Sequence, residues 1–240
     1  MEIKKLIAHI PARAGSKRVK SKNLRMLCGK PMIAYAIECA KSCPDIDEIY
    51  VNTDCPTIGA LAKEYGVNIF DRDPALASDT ATGDDFTIDI IERLNIDTLL
   101  MISPVCPLIT HKEVSKAIEF YKSNQSADTL IASEETSMQV AKEDGDFINI
   151  NPTGPLQPSQ NNPKIHICNW AVTIWNGETF RKNYRAYGGG YCGTNRIFLP
   201  LDPNKSVKVS YEQDFKMVES LLSVDNPRFT NASPSYWLPS

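Results

Sequence analysis

The sequence predicts one α/β domain of three layers, in which helices cover both faces of a mainly parallel sheet. The chain has 240 residues, of which 42% are hydrophobic and 23% are charged. These values suit one large globular domain and exclude a disordered, collagen-like or coiled-coil chain. Short apolar runs alternate, up to about residue 135, with segments whose apolar residues recur every three or four positions. Such an alternation of strands and helices is typical of a parallel sheet.

Each element has its own signal in the sequence. Apolar runs predict strands at residues 6–10, 49–52, 67–70, 99–102 and 130–132. Apolar residues at helical spacing predict helices that include residues 33–40, 58–65, 86–94 and 114–121. Gly66 fits the end of the second helix, and Thr110 with Glu113 forms a capping-box pattern before the fourth. Ligands of such sheets bind beyond the carboxyl ends of the strands, so we expect the functional site there.

The pattern changes after about residue 135. Residues 151–164 contain four prolines and three asparagines, which predicts a long loop. Strands at residues 165–175 and 191–199 then flank a short helix. A last helix covers residues 211–222, with Ser210 and Gln213 as its capping box, and the tail at residues 224–240 predicts no regular structure. We therefore expect a single domain over residues 1–240, with an excursion at about 136–200.

We expect the protein in the cytoplasm and expect no segment that spans a membrane. No apolar stretch reaches the roughly 18 residues that cross a bilayer, and the apolar run before Pro11 is shorter than a signal-peptide core of roughly 7–15 residues. The seven cysteines are odd in number and form no CxxC pair, which argues against a zinc site or a redox dithiol. We expect reduced and mostly buried thiols at positions 28, 39, 43, 55, 106, 168 and 192.

The positive charge is concentrated near the start of the chain. The net charge is −3, so no global field attracts nucleic acid, and we expect none as a partner. Residues 3–37, however, contain nine Lys or Arg and no acid, whereas the remainder has 17 basic and 29 acidic residues. Such an uneven distribution needs a local explanation.

The basic loop at residues 11–23 follows the first predicted strand directly and reads PARAGSKRVKSKN. A loop of small residues at the end of a strand can offer backbone N–H groups to phosphate, and Lys and Arg add charge-assisted hydrogen bonds. The loop contains neither GxxxxGK[ST] nor GxGxxG, which argues against the usual ATPase and dinucleotide sites. A solvated basic surface loop is the alternative that charge alone leaves open.

Three motifs in order give the loop a more specific meaning. The pattern P-A-R-x-G-S-K-x4-K-N at residues 11–23 resembles the signature loop of the acylneuraminate cytidylyltransferases, or CMP-sialic acid synthetases. The segment RDPALASDTA at residues 72–81 is similar to a second motif of that family, and PVCPL at residues 104–108 to a third. The resemblance covers about residues 5–135 well and the remainder weakly.

This resemblance implies a nucleotide-diphospho-sugar transferase-like fold, CTP as donor and a sugar acid as acceptor, with CMP transferred and pyrophosphate released. It also implies a homodimer, in which part of residues 136–200 reaches the partner's site. By resemblance, Arg13, Lys17 and Lys22 are the catalytic candidates, because they can neutralise charge on the phosphates. The implied nucleotide-binding residues are Ala12, Arg13, Gly15, Ser16, Lys17, Lys22, Asn23, Arg72, Asp79, Thr80 and Ala81. Asp79 and Thr80 can also be read as the cap of the following helix.

The metal site departs from the family pattern. Family members end their sheet with D-I-D-x-x-x-D, whose first acids bind Mg²⁺, and the resemblance implies Mg²⁺ as cofactor. Here Lys208 and Ser210 occupy those two positions, and only Asp214 matches. Mg²⁺ requires oxygen ligands. The site is therefore missing or relocated, or Lys208 acts as a fixed cation in its place, with Asp214 as the one candidate ligand.

The sugar-binding positions also differ. Ser103 stands where the family has a Gln that reads the sugar, Ile167 where an Arg would meet a carboxylate, and Trp170 where a Gly is usual. By resemblance, the sugar-binding candidates are Ser103, His166 and Asn169. A hydrogen-bonded structural role is the alternative for His166, and Lys164 is an alternative source of positive charge.

These departures leave three functions open. An active enzyme would make a CMP-activated sugar acid, with nonulosonic acids other than sialic acid as plausible acceptors. A relative without catalysis would bind the nucleotide as a partner subunit. A third alternative is a nucleotidyltransferase for another base or a non-sugar acceptor.

Overall fold

The computed structural model describes residues 3–223 and 234–239. Its strands are β1 (Leu6–Pro11), β2 (Met26–Leu27), β3 (Lys30–Pro31), β4 (Glu48–Thr53), β5 (Asn68–Asp71), β6 (Thr98–Ile102), β7 (Thr129–Thr136), β8 (Ile165–Asn176) and β9 (Arg196–Pro200). Its α-helices are α1 (Met32–Lys41), α2 (Pro56–Glu64), α3 (Gly83–Arg93), α4 (His111–Ser123), α5 (Gly177–Tyr187) and α6 (Glu212–Ser223).

Seven strands form one sheet in the order β5-β4-β1-β6-β8-β7-β9. All run parallel to β1 except β8, which lies antiparallel between β6 and β7. The predicted mainly parallel sheet is therefore confirmed. The position of β8 was not predicted: it separates β6 and β7, although these two strands are consecutive along the chain.

Helices cover both faces of the sheet. One face packs against α1, α2 and α4 through a cluster that contains Ile33, Leu61 and Val114. The other face packs against α3 and α5 through Ile90 and Phe180. The strands supply alternate residues to the two clusters, as the two-residue period of a strand requires. The three-layer prediction is confirmed.

Several predicted boundaries need correction. The strand predicted at residues 191–199 is β9 and begins only at Arg196, because residues 191–195 form a turn. The strand predicted at 67–70 is displaced by one residue, to Asn68–Asp71. The prediction for residues 224–240 lies outside the described residues at 224–233. Within 234–239, an isolated antiparallel bridge joins Tyr236 to Arg25.

The helix caps show which local signals were sufficient. The capping box of Thr110 and Glu113 is confirmed, and Gly66 follows α2 with a φ of +69°. Before α3, however, the cap is Thr82, which exchanges hydrogen bonds with Asp85. The reading of Asp79 and Thr80 as the cap of this helix is therefore wrong.

The predicted capping box of α6 is also wrong. The carboxylate of Asp214, and not the side chain of Gln213, accepts from the backbone N–H groups of Ser210 and Tyr211, both at 2.8 Å. The helix begins at Glu212, one residue later than predicted. Asp214 lies in the first turn of this helix, and its carboxylate binds the two backbone N–H groups that directly precede the helix.

The seven cysteines are free, but fewer are buried than expected. Cys39, Cys43 and Cys106 are buried, whereas Cys192 is exposed and the other three are half-buried. Among residues 3–223 and 234–239, none of the helices combines the length and the apolar character that a membrane crossing needs.

Gly177 fits a position with no space for a side chain. A Cβ atom there would collide with the carbonyl oxygen of Ile96, just before β6. We expect Gly177→Ala to lower the free energy of unfolding by about 1–3 kcal/mol, because the added methyl group would force the neighbouring backbone to move. Urea unfolding measures it.

Gly59→Ala in α2 is the matched control. A Cβ there would lie 3.5 Å from the nearest atom of Ile69, an ordinary contact. Alanine also favours a helix over glycine, so we expect this variant to be at least as stable as the parent. Equal stability of the two variants would contradict the packing described for Gly177.

Candidate active site

The site is formed where several segments meet at the carboxyl edge of the sheet. The basic loop (residues 11–23) continues from β1, and residues 103–109 continue from β6. Because β8 runs in the opposite direction, its first half lies at this same edge, where Ser103 N–H donates to the carbonyl of Ala171 at 2.9 Å. Residues 202–211, before α6, also reach this edge.

Two adjoining cavities open between these segments. The basic cavity, of about 370 Å³, takes its charge from Arg13, Lys17, Arg18 and Lys22. The larger cavity, of about 460 Å³, is lined by Arg72, Asp84, Phe86, Trp170, Tyr191 and Lys208, among others. Both cavities are lined by Pro11, Arg13, Pro104 and Val105. A ligand in one cavity can therefore meet a ligand in the other along this shared wall.

The basic side chains at the start of the loop are held by the segment after β5. Arg13 donates to the carbonyls of Ala77 and Ser78 at 3.0 and 2.9 Å and to Asp79 at 3.1 Å. Lys17 also pairs with Asp79. Hydrogen bonds from Lys17 and then Arg13 lower the pKa of the Asp79 carboxyl. Asp79 is therefore ionised and bridges two of the predicted phosphate-binding groups.

Lys22 lies deeper in the basic cavity. Its Nζ donates to the carbonyl of Val209 at 2.7 Å. Burial, and after it the neighbouring charges of Arg18 and Lys208, lower its pKa to about 8, whereas Cys106 and Asp214 act in the opposite direction. A lysine with this pKa changes its charge within the range in which the protein can be assayed.

Asn23 has an unused acceptor at the basic cavity. The residue is 6% exposed, and its side-chain oxygen, Oδ1, is buried without a hydrogen-bond partner in the described part of the chain. A buried polar atom without a partner is costly. A ligand donor, such as a hydroxyl or amino group, would remove this cost.

The far end of the loop is clamped to α6. Arg25 makes two hydrogen bonds to the carboxylate of Glu212, at 2.6 and 2.8 Å, and its guanidinium lies 3.9 Å from the ring centre of Phe215. Such a bidentate pair fixes geometry as well as charge. Residues 234–239 hold the same part of the chain from another side, because Met26 N–H donates to the carbonyl of Ser235 at 2.8 Å.

Arg72 forms part of the wall of the larger cavity although it is buried. Its Nε and Nη2 atoms donate to the side chain and the carbonyl of Asn52, at 2.7 and 2.9 Å, and it lies over the ring of Phe86. Burial lowers its pKa to about 10. Its neighbour His9 is fully buried and neutral, because burial, and secondarily the charge of Arg72, lowers its pKa to about 3.

An aromatic pair forms another wall of the larger cavity. The ring centres of Trp170 and Tyr191 are 5.1 Å apart. Asp84 holds the backbone of the Tyr191 segment, accepting from the N–H groups of Gly190 and Tyr191 at 2.6 and 2.7 Å. Sequence reasoning missed Asp84, Phe86 and Tyr191, since no local pattern indicates that their segments converge.

The structure brings most of the predicted nucleotide residues together, but not all. Arg13, Ser16, Lys17, Lys22 and Asn23 line the basic cavity. Ala12 is buried beside them and donates its N–H to the carbonyl of Asn52 at 2.9 Å, and Gly15 is exposed with open space around it. Thr80 and Ala81 line neither cavity, and Ser78 Oγ contacts both of them.

The predicted sugar-binding residues are divided. Ser103 lines the larger cavity, but His166 and Asn169 do not. His166 has a structural environment: its Nδ1 lies 3.0 Å from Ser133 Oγ and its ring stacks on Phe198. The alternative cation, Lys164, is also outside this lining and pairs with Glu135 at 2.6 Å.

The positions expected to bind a metal have the wrong chemistry for one. Lys208 places an ammonium group at the larger cavity, and one carboxylate oxygen of Asp214 is already bound to two backbone N–H groups. No group of three or more His, Cys, Asp or Glu side chains suited to a metal ion is found among the described residues. These residues do not fit a Mg²⁺ ion held by protein carboxylates.

A sequence profile of the cytidylyltransferase family matches residues 7–152, more than half of the chain. The chain belongs to the cytidylyltransferase family. It is 35% identical over 211 residues to the pseudaminic acid cytidylyltransferase of Campylobacter jejuni, covering 83% of this chain and 84% of that protein. It is 30% identical over 233 residues to the post-translational flagellin modification protein B of Campylobacter coli, covering 92% of this chain and 96% of that one.

Solved structures show the same fold for this cytidylyltransferase. A CMP:2-keto-3-deoxy-manno-octonic acid synthetase complexed with CTP superposes with a TM-score of 0.68 at 17% identity, covering 92% of this chain and 99% of that one. The nucleotide-diphospho-sugar transferase-like fold expected from the resemblance is thereby confirmed.

Anion binding by this cytidylyltransferase should depend on the charge of Lys22. Because only the protonated amine binds phosphate well, we expect CTP affinity to be full below pH 8 and to fall as pH rises through about 8. Between about pH 7 and pH 9.5 the protonated fraction of Lys22 falls roughly 30-fold, and the loss of affinity should approach this value. Isothermal titration calorimetry with CTP measures it.

Lys22→Arg is the control, because the guanidinium remains charged over this range. Its CTP affinity should change little with pH, and any change that remains reports the ionisation of the ligand itself. Identical pH profiles for the parent and Lys22→Arg would contradict the role assigned to Lys22.

Proposed function

We propose that this chain transfers CMP from CTP to the hydroxyl group of a nonulosonic acid and releases pyrophosphate. The observation that carries the proposal is the arrangement of the two cavities, which share a wall at Arg13 and lie at the end of β1. Family membership and the pseudaminic acid cytidylyltransferase relative support the donor and the class of acceptor. The fold likeness to a synthetase complexed with CTP is consistent with it.

The basic cavity is the proposed site of the triphosphate. Arg13, Lys17 and Lys22 supply cations from three positions of one loop, and Ser16 adds a hydroxyl group. Gly15 has open space where its side chain would be, so that a phosphate can approach the backbone closely.

The nucleoside is proposed to lie between the basic loop and Arg72. Asn23 offers its unpaired Oδ1 to a donor on the ribose or the base. The backbone at Ala12 and the guanidinium of Arg72 bound the same region, with Asp79, Thr80 and Ala81 in the segment behind them. Asn52 links the two sides, because its carbonyl accepts from both Ala12 and Arg72.

The transfer step places the largest demand on the cations. The acceptor oxygen attacks the α-phosphorus and gives up its proton to solvent. The bond from the α-phosphorus to the oxygen bridging to the β-phosphorus breaks, so that this oxygen leaves with pyrophosphate. Negative charge increases on the leaving group during this step. Lys17, Arg13 and Lys22 are proposed to stabilise it by hydrogen bonds from charged donors.

No step of this proposal uses a metal held by the protein. At an effective dielectric constant near 20, a lysine ammonium about 4 Å from a cation is repelled by roughly 4 kcal/mol per unit-charge pair. Lys208 and the engaged carboxylate of Asp214 therefore do not form a magnesium site, and Mg²⁺ bound by Asp214 is not proposed.

The chain is proposed to act as a homodimer through the excursion after β7. Large apolar side chains are exposed there at Met138, Phe147, Ile148, Leu156 and Ile167, and exposed apolar surface of this kind often marks an interface. Sedimentation equilibrium tests it: a dimer is expected, with dissociation in Leu156→Glu. A parent chain that remains monomeric at high concentration would refute it.

The cytoplasm stays the predicted location.

Turnover tests the function directly. Purified chain is mixed with CTP and, in turn, pseudaminic, legionaminic, sialic and Kdo-type acids, and pyrophosphate release is measured. Thermal shifts with CTP, UTP, ATP and GTP establish base preference independently, since a ligand of the folded state raises its stability. CTP binding without turnover on any acid would favour the nucleotide-binding partner subunit, and a larger shift with another nucleotide would favour a different base.

Lys17→Ala should reduce kcat by about 10²- to 10³-fold, because it removes one donor to the charge that develops in transfer. Its ammonium is exposed and contacts Asp79 alone among the described residues, so stability should change little. Lys20→Ala, also exposed and on the same loop, is the matched control and should retain near-parental kcat. Equal losses in both variants would contradict the assignment of Lys17.

A further inference from the structure

The larger cavity contains one cation that the protein itself does not use. Its three cationic lining residues are Arg13, Arg72 and Lys208. Arg13 is bound by Asp79 and two carbonyls, and Arg72 is bound by Asn52. Lys208 is exposed. Among the described residues its ammonium has no hydrogen bond or ion pair, and its charge acts on Lys22 by repulsion.

The backbone on either side of this lysine is nevertheless fixed. Val209 is fully buried. Its N–H donates to the carbonyl of Val105 at 2.8 Å, and its own carbonyl accepts from Lys22. Lys208 is therefore an exposed cation on a fixed backbone, at the wall that also carries Val105 and Ser103.

Trp170 lines the same cavity from a strained position in β8. Its φ is +58°, a left-handed conformation that is strained for a bulky side chain. The pairing of β7 with β8 is interrupted here, so that residues 169–172 face Ala132 alone. Irregularities of this kind direct side chains and cluster at functional sites.

The neighbours of Trp170 maintain this conformation. The side-chain oxygen of Asn169 accepts from the N–H of Ala171 at 3.1 Å, spanning the tryptophan, and the ring packs on Tyr191. A Cβ at Gly83 would lie 3.1 Å from Tyr191, so this second ring is itself closely bounded. The local structure thus holds an aromatic ring at the cavity at the expense of backbone strain.

The geometry points to Lys208 as the group that binds the carboxylate of the acceptor acid, with Trp170, supported by Tyr191, as the wall against which the acceptor packs. This assignment rests on the proposed function. A nonulosonic acid bears its carboxylate on the carbon that also carries the attacking hydroxyl group. A cation close to the shared wall therefore orients that hydroxyl toward the α-phosphorus. Ile167, at 49% exposure and outside the cavity lining, cannot supply the charge.

Kinetics separate this role from one in phosphate binding. Lys208→Gln should raise the KM for the acceptor acid by about 10- to 100-fold, the loss expected for one charge-assisted hydrogen bond. At about pH 7, where Lys22 is mostly protonated with or without the charge of Lys208, the KM for CTP should stay within about twofold. Lys205→Gln is the matched control, exposed on the same segment but absent from the cavity lining, and should change neither. A rise in the KM for CTP equal to that for the acid would overturn the assignment.

A modified acceptor sharpens the test. Replacing the acceptor's carboxylate by a carboxamide should weaken it for the parent but make little further difference for Lys208→Gln, because the charge it would meet is already gone. Equal losses for the two proteins would show that another group binds the carboxylate.

Equilibrium binding decides the question without turnover. In the presence of CMP, quenching of tryptophan fluorescence by the acid should be lost in Trp170→Phe and retained in Trp237→Phe. In Lys208→Gln it should require higher acid concentrations. Equal titrations for the parent and Lys208→Gln would overturn the role of the lysine, and retained quenching in Trp170→Phe would overturn that of the aromatic wall. Failure of the proposed function is distinguishable, since it appears as absent CTP binding or absent pyrophosphate release in the parent.

Discussion

The site depends on two hydrogen bonds made by the backbone of Val209. Its N–H group joins it to Val105, in the segment after β6, and its carbonyl joins it to Lys22, in the basic loop after β1. Both loops leave parallel strands that are neighbours in the sheet, so one buried residue from near the end of the chain fixes their spacing. This joint holds the basic loop against the segment after β6 and fixes the backbone next to Lys208.

Charge is distributed over the site according to what each group must do. The cations that the loop is proposed to present to phosphate are partly neutralised in the free protein, since Asp79 bridges Arg13 and Lys17. These exposed pairs are weak in water, so a triphosphate can displace the carboxylate at small cost. Arg72, in contrast, is buried and fixed by Asn52. The exchangeable cations suit a substrate that arrives and leaves, and the fixed one suits a boundary of the cavity.

The sequence was sufficient to predict those elements whose structure is determined by neighbouring residues along the chain. The strand before the basic loop, the capping box of Thr110 and the end of α2 at Gly66 depend on local periodicity and local hydrogen bonds. The cap of α3 at Thr82 competes with two equally suitable polar residues upstream, and no local rule selects among them. The same holds for α6, where Asp214 supersedes Gln213.

Features that depend on distant segments were missed. The insertion of β8 between β6 and β7 brings Trp170 to the carboxyl edge, and neither strand's own pattern indicates it. Tyr191 and Asp84 meet only through the contact between the turn before β9 and the start of α3. Sequence comparison singled out Lys208 and Trp170 as departures from a family pattern. Only the structure shows that both line one cavity. The two departures from the family pattern therefore belong to one candidate acceptor site.

The most direct measurement is a crystal structure of the chain with CTP and an acceptor acid that lacks the attacking hydroxyl group. The account predicts the triphosphate in the basic cavity, within hydrogen-bonding distance of Lys17 and Lys22. It also predicts the acceptor in the larger cavity, with its carboxylate on Lys208 and its ring against Trp170. A nucleotide bound away from the basic loop, or an acceptor carboxylate bound by another cation with Lys208 facing solvent, would contradict it.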